Sequence, residues 1–219
     1  MPDHTDLRSG DFDAAWRAAI ADNRLRTDFA AAVIRLTRIG ARPVPLTELA
    51  AEMHRSVPEI TAFVTEYGGG PMRIADGMVY HDHPNEPGPA TRWTVHVGER
   101  TIYSETGCAP DLFAAAHWLD EQLTVEATCP VTGTPIRVRI GPDGADAEPA
   151  STVVSVLNPC GPEFHDIAEQ TFTELDEQIC SEQTFFASQA AAGQWQAANP
   201  GGRLFTVAQL HDWIRRIGF

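Results

Sequence analysis

The run Ile136-Arg137-Val138-Arg139-Ile140 constrains the fold more than any other stretch. Apolar and charged residues alternate with a period of two, which fits a strand with one buried face and one wet face. Such strands pair best in an antiparallel sheet covered on one side only. Its partner is the strand Leu123–Thr128, joined to it by Cys129-Pro130-Val131-Thr132-Gly133-Thr134-Pro135, a segment rich in turn formers. Gly141-Pro142-Asp143-Gly144 closes the pair on the far side. Thr91–Val97 alternates in the same way, and Thr101–Tyr103 makes a short second strand. Thr152–Leu157 is more apolar and is expected to be central.

The first half reads differently. Phe12, Trp16 and Ile20 recur at helical spacing, and Phe29, Val33, Ile34 and Leu36 form a second stripe that stops at Gly40. Thr47 is placed to cap a helix over Glu48–Met53. Ser56-Val57-Pro58-Glu59 is a capping box that opens another helix over Glu59–Tyr67, ended by Gly68-Gly69-Gly70. Met72–Ile74 and Met78–Tyr80 flank Ala75-Asp76-Gly77 as a hairpin. Helices followed by a hairpin suggest a winged-helix-like unit over residues 1–83, with the sheet region over 84–219. His81-Asp82-His83 opens the polar, Pro-rich linker between them. Its histidines could bind a metal, but solvated loop residues are the preferred reading.

Chemistry concentrates around Cys108-Ala109-Pro110-Asp111, followed by the helix formers Leu112–Ala116. If both polar residues sit in the first helical turn, their spacing puts them on one face. The positive end of the helix dipole is then expected to lower the thiol's pKa. The competing reading is that Cys108 is small core filler. Later in the chain, Phe164–Cys180 reads as helix or irregular excursion. Thr184–Ser188 is short and apolar, a helix runs from Ser188 to Ala197 around Trp195, and Phe205–Leu210 leads into a last helix facing inward through Leu210, Trp213 and Ile214.

The net charge is −14, with all 16 basic residues Arg. An acidic chain lacks the basic footprint that nucleic acid or an anionic membrane surface requires. The DNA-binding use of a winged helix is therefore disfavoured, and a structural or dimer-forming use of it is preferred. Met1–Leu25 holds no apolar core of signal-peptide type, and no apolar run approaches a membrane span, so a cytoplasmic chain is expected. Its cysteines, Cys108, Cys129, Cys160 and Cys180, form no C-x-x-C pair. In a reducing compartment they are expected as free thiols, suited to a soft metal or to nucleophilic work rather than to a structural zinc site.

Three motifs in order carry a family resemblance: Cys108-Ala109-Pro110-Asp111 at a helix start, Cys129-Pro130-Val131-Thr132-Gly133-Thr134-Pro135 between two strands, and Cys180 shortly before Phe185-Phe186-Ala187-Ser188. The chain resembles the bacterial organomercurial (alkylmercury, MerB-type) lyases. The Trp195 segment, and Arg42-Pro43-Val44 with Thr47-Glu48-Leu49-Ala50, fit the same family. The resemblance implies an α+β fold, a winged-helix-like front followed by a mostly antiparallel sheet with flanking helices.

The resemblance also implies protonolysis of a carbon–mercury bond. Cys108 and Cys180 match the two catalytic thiols and Asp111 the catalytic acid, and all three would hold the Hg(II) product. Cys129 matches a family cysteine that looks structural, and Cys160 has no counterpart. No organic cofactor or resident metal is implied. The implied partners are an organomercurial substrate, small cytosolic thiols and a mercuric reductase that takes up Hg(II), with no nucleic acid and no membrane. The sequence departs from the family pattern at Ser104–Gly107, at Ser181-Glu182 after the last cysteine, and in an apparent insertion over residues 158–175. An alternative register would replace the first thiol by His117, with Asp120 as the acid, at the cost of the spacing to Cys129. Two rival functions keep the thiols: a related protein acting on another soft-metal or carbon–heteroatom bond, and a thiol-based metal sensor.

Overall fold

A computed structural model describes residues 12–68, 72–161, 164 and 169–219. It is a mixture of helices and antiparallel sheets. Helices α1 (Phe12–Asp22) and α2 (Arg24–Thr37) follow the two apolar stripes. The second ends three residues before Gly40, where Arg38, Ile39 and Gly40 all take positive φ. A Cβ on Gly40 would run into the carbonyl of His81, so glycine permits the close approach as well as the turn.

Strand β1 (Val44–Pro45) runs straight into α3 (Leu46–Glu52), and here Thr47 is not the cap: Pro45 occupies that position and Thr47 lies inside the helix. The pairing of β1 with β3 carries the chain into the helix at that point and leaves no extended residue for Thr47 to occupy. Helix α4 (Val57–Tyr67) has the capping box that its sequence predicts, with Ser56 and Glu59 reciprocally bonded. Gly68 caps its end, and Gly69 and Gly70 lie outside the described residues. Strands β2 (Met72–Ala75) and β3 (Met78–His81) form the hairpin, and β1 adds to it in the order β1-β3-β2. Phe29, Leu49, Ile60, Phe63 and Val79 fill the core beneath.

The second sheet has five antiparallel strands in the order β5-β4-β6-β7-β8: β4 (Trp93–Val97), β5 (Arg100–Ser104), β6 (Leu123–Thr128), β7 (Pro135–Gly141) and β8 (Gly144–Glu148). In β7, Ile136, Val138 and Ile140 are buried while Arg137 and Arg139 face water and pair with Glu126 and Asp146. Helix α5 (Ala109–Leu119) covers the dry face through Phe113 and Ala114–Ala116.

A third sheet, β10-β9-β11, lies beside it, with β9 (Val153–Val156) fully buried between β10 (Phe185–Phe186) and β11 (Arg203–Thr206). The expected central strand is thus central to this smaller sheet. Helix α6 (Phe172–Gln178) precedes a short 3-10 turn at Cys180–Glu182, so part of the uncertain stretch is helix, and residues 165–168 lie outside the described residues. Helix α7 starts at Gly193 rather than Ser188 and runs to Ala198, because Ser188–Ala192 is spent on a turn. The last helix, α8 (Val207–Ile217), buries Leu210, Trp213 and Ile214.

Helix α1 packs into the same core as α5, α8 and the five-stranded sheet. Trp16 Nε1 donates to the Leu157 carbonyl at 3.0 Å, and Trp213 Nε1 donates to Asp13 at 2.9 Å. Among the described residues no helix is long and apolar enough to cross a membrane.

His81 and His83 are not solvated loop residues. Their rings lie 4.5 Å apart, and His81 Nδ1 and His83 Nε2 are both buried without a protein partner. Burial, then the neighbouring ring, pushes His81 down to about 3. Burial, then Arg100, pushes His83 down to about 4 against the pull of Asp82.

Candidate active site

Cys108 sits in extended backbone at the N-cap of α5, directly after Gly107, whose φ of +85° favours glycine. Its own N–H donates to Asp111 Oδ2 at 3.0 Å, which folds the carboxylate back over the start of the helix. Cys180 arrives from the other end of the chain, on the 3-10 turn that follows α6. The downstream side of that turn is well anchored. Ala109 N–H donates to the Gln183 carbonyl at 3.0 Å, buried Gln183 accepts from Leu157 N–H at 3.2 Å, and Ser155 Oγ donates to the Glu182 carbonyl at 2.9 Å. The result is one cluster: a ligand atom from each of Cys108, Asp111 and Cys180, all within 4.8 Å of one another. No other group of three such donors occurs among the described residues.

The electrostatics of the cluster reverse one expectation. The helix start does not lower the Cys108 pKa. The hydrogen bond with Cys180, burial and the negative charge of Asp111 hold that thiol well above its ordinary value. A helix dipole contributes about 0.3–1 kcal/mol, which burial beside a carboxylate outweighs. For Cys180 the largest influence, the hydrogen bond with Cys108, lowers the pKa, yet burial and the charges of Asp111 and Asp176 carry the net effect upward. Asp111 is raised chiefly by burial, against the opposing hydrogen bonds from Cys108. Both thiols therefore favour their protonated forms, and burial makes the Asp111 carboxylate a better proton acceptor than an exposed one.

This arrangement costs stability. A carboxyl raised in the folded state stabilises the fold at low pH and loses that contribution as pH rises through its folded pKa. Asp111→Asn keeps an acceptor for the Cys108 N–H and removes the charge. Its melting temperature should exceed the parent's by roughly 2–4 °C at pH 8, with the gain shrinking toward pH 4. Calorimetry across that range checks it. A gain over the parent that is no larger at pH 8 than at pH 4 contradicts the assignment of a burdened carboxyl.

The remaining candidates lie elsewhere. Cys129 is buried in the turn between β6 and β7. Burial alone would raise its pKa, but the Thr132 hydroxyl and the N–H groups of Ala187, Thr132 and Val131 bring it down. Cys160 is half-buried in the turn after β9, its N–H bonded to Asn158. His117 and Asp120 are exposed at the C-terminal end of α5, outside the cluster.

Residues that sequence reasoning passes over are Arg92, Asp176 and Gln183, all of which bind the loops that carry the thiols. Only Asp176 leaves a trace in the sequence, one helical turn before Cys180. A cleft of about 960 Å³ is lined by Arg92, Trp93, Glu126, Arg137 and Ser181 among others. The three clustered donors do not line it, but Arg92 bonds the Cys180 carbonyl and Ser181 follows that residue directly.

Comparison with known proteins points the same way. A family model described as alkylmercury lyase matches residues 89–217, more than half of the chain. The alkylmercury lyase of Bacillus cereus is 29% identical over 112 residues, covering 51% of this chain and 47% of that protein. The match thus spans about half the length of that relative. The alkylmercury lyase of Streptomyces lividans is 24% identical over 177 residues, covering 78% of this chain and 73% of its own. Among solved structures, the mercury-bound form of MerB2 superposes with a TM-score of 0.58 at 17% identity, over 94% of this chain and 96% of that one, a likeness of fold.

Proposed function

The chain belongs to the alkylmercury lyase family, and from that premise we propose that it cleaves carbon–mercury bonds by protonolysis, releasing a hydrocarbon and keeping Hg(II) between two sulfurs. The observation that carries this reading is the convergence of Cys108, Asp111 and Cys180 within 4.8 Å from segments far apart in sequence. Hg(II) is soft and prefers sulfur to oxygen or nitrogen ligands.

The resting site holds two neutral thiols beside the Asp111 carboxylate, whose burial strengthens it as a proton acceptor. One thiol captures the organomercurial from a small thiol carrier. The carrier leaves with the proton that the protein thiol gives up. The second thiol then binds mercury and passes its proton to Asp111. Two sulfurs raise the electron density at the metal and weaken its bond to carbon. Asp111, as general acid, delivers the proton to the leaving carbon. The balance closes: the protein-bound R–Hg thiolate and one thiol become R–H and a bis-thiolate Hg(II) complex. The raised Asp111 pKa suits a group that must accept and then donate.

In this reading no organic cofactor or resident metal takes part. On the same reading the protein works in a reducing cytoplasm, where its cysteines stay free thiols. A mercuric reductase is the downstream acceptor of the Hg(II). Helices α2–α4 and the β1-β3-β2 sheet make a winged-helix-like unit used structurally, since the acidic chain suits no nucleic acid.

The direct assay supplies purified protein with methylmercury or phenylmercury and excess thiol, and measures methane or benzene in the headspace. Catalytic release supports the lyase. Tight mercury binding without release favours the sensor reading.

A further inference from the structure

We propose that Arg92 and Asp176 are positioning residues: together they clamp the Cys108 loop to the Cys180 turn and set the separation of the two sulfurs. The proposal rests on the lyase reading for its consequence in turnover. It rests for its geometry on a closed loop of contacts. Gly107, the residue before Cys108, is held at both ends of its peptide unit. Its N–H donates to Asp176 Oδ1 at 2.6 Å, and its carbonyl accepts from Arg92 Nη1 at 3.0 Å and from Trp93 Nε1 at 3.4 Å. The other fork of Arg92, Nη2, donates to the carbonyl of Cys180 itself at 2.9 Å. One guanidinium thus bridges two backbone segments that lie 73 residues apart in sequence and carry the two thiols.

The clamp ties the upstream side of Cys180 directly to the Cys108 loop. The downstream side of Cys180 is tied by Gln183 and Ser155. On the upstream side stands α6, which buries none of its residues fully. Its apolar side is seated through Phe172 and Leu175, which pack partly buried on the two cores, and its polar side stays open. From that open side Asp176, one turn before Cys180, adds a short, charge-assisted bond to Gly107. Arg92 is itself steadied by the Trp93 ring, 5.0 Å from its guanidinium carbon. A planar fork that reaches two carbonyls at once is a role that lysine's single ammonium fills poorly.

The test uses the full chain and four variants, Arg92→Gln, Arg92→Lys, Asp176→Ala and Asp176→Asn. Each is titrated with Hg(II) against a competing small dithiol and followed by the sulfur-to-mercury charge-transfer band. kcat and KM for phenylmercury are measured alongside, with melting temperature as the control for folding. Arg92→Gln and Asp176→Ala should surrender Hg(II) at about tenfold lower competitor and lose kcat more than KM. Asp176→Asn keeps the acceptor and should stay within about threefold of the parent. Arg92→Lys keeps the charge without the fork and should fall with Arg92→Gln.

Wild-type mercury retention in Arg92→Gln, parent-like behaviour of Arg92→Lys, or loss in Asp176→Asn equal to that in Asp176→Ala would each overturn the clamp. Trapping with phenylarsine oxide, which bridges a close pair of thiols whether or not the protein turns over mercury, separates this proposal from the lyase reading. A parent that is bridged but releases no hydrocarbon sinks the lyase alone. Variants bridged as fast as the parent sink the clamp alone.

Discussion

Cys108→Ser, Cys180→Ser and Asp111→Ala should each cut hydrocarbon release from phenylmercury by at least about a hundredfold, the lower range for loss of a positioned acid. Cys160→Ser should leave it unchanged. The prediction follows from geometry. Cys108, Asp111 and Cys180 form one cluster, whereas Cys160 sits in the turn after β9 and contributes no atom to it. Serine is close in size to cysteine, but its oxygen is a hard donor that a soft ion shuns. Loss of either sulfur leaves mercury with one thiolate, and the carbon bond is then not weakened enough for a carboxylic acid to protonate. Because the three groups act as a unit, the Cys108→Ser/Asp111→Ala double variant should be little worse than either single one. Turnover persisting in Cys180→Ser would remove the two-thiol mechanism.

The second large effect is on stability. The His81–His83 pair should make the protein acid-labile well above the range where carboxylates titrate. In the unfolded chain both rings protonate near pH 6.5. In the folded protein they are held down to about 3 and about 4. A depressed pKa means that the stabilising contribution is complete above the unfolded value and drains away as pH falls toward the folded one. The window is therefore pH 6.5 down to about 4. At roughly 1.4 kcal/mol per pH unit for each ring, the pair should lose on the order of 3–5 kcal/mol by pH 4.5.

Arg100 stands beside His83 and opposes a second positive charge, while Asp82 is occupied by Arg73. Urea unfolding of the parent and of His81→Gln/His83→Gln across this window reads the effect. The parent's stability should fall steeply and the variant's much less. Parallel curves would mean that the rings carry no such burden. Since Gly40 and the α2 tail pack against these residues, the loss should begin where the N-terminal helices meet the five-stranded sheet.

Much of this architecture can be read from residue patterns, and the failures have physical causes. Strand β7 announces itself because Ile136, Val138 and Ile140 alternate with arginines. Its neighbour β8, Gly144–Glu148, does not, since Ala145 and Ala147 are too small to mark a buried face and the strand is held by its register with β7. Strand β11 hides because it runs directly into the capping box of α8 at Thr206 and Gln209. The histidine pair reads as loop because its burial is supplied by Gly40 and its neighbours, which nothing nearby in sequence foretells.

The site divides in the same way. Cys108 and Asp111 are neighbours by helical spacing and are legible as a pair. That Cys180 joins them depends on chain reversals through two sheets, and only the family resemblance suggests it. The sign of the Cys108 shift is misjudged from sequence because a dipole can be inferred from a helix start, whereas burial beside Asp111 and Cys180 cannot. Arg92 is invisible for the same reason: its partners, Gly107 and Cys180, are set by the fold.

The most direct test of the account is a single-turnover reaction with phenylmercury in heavy water. Benzene should appear with one deuterium per molecule, one equivalent of Hg(II) should remain on the protein, and two thiols should vanish from the free-thiol titration. Phenylmercury recovered intact from the protein, or benzene released while both thiols stay free, would contradict it.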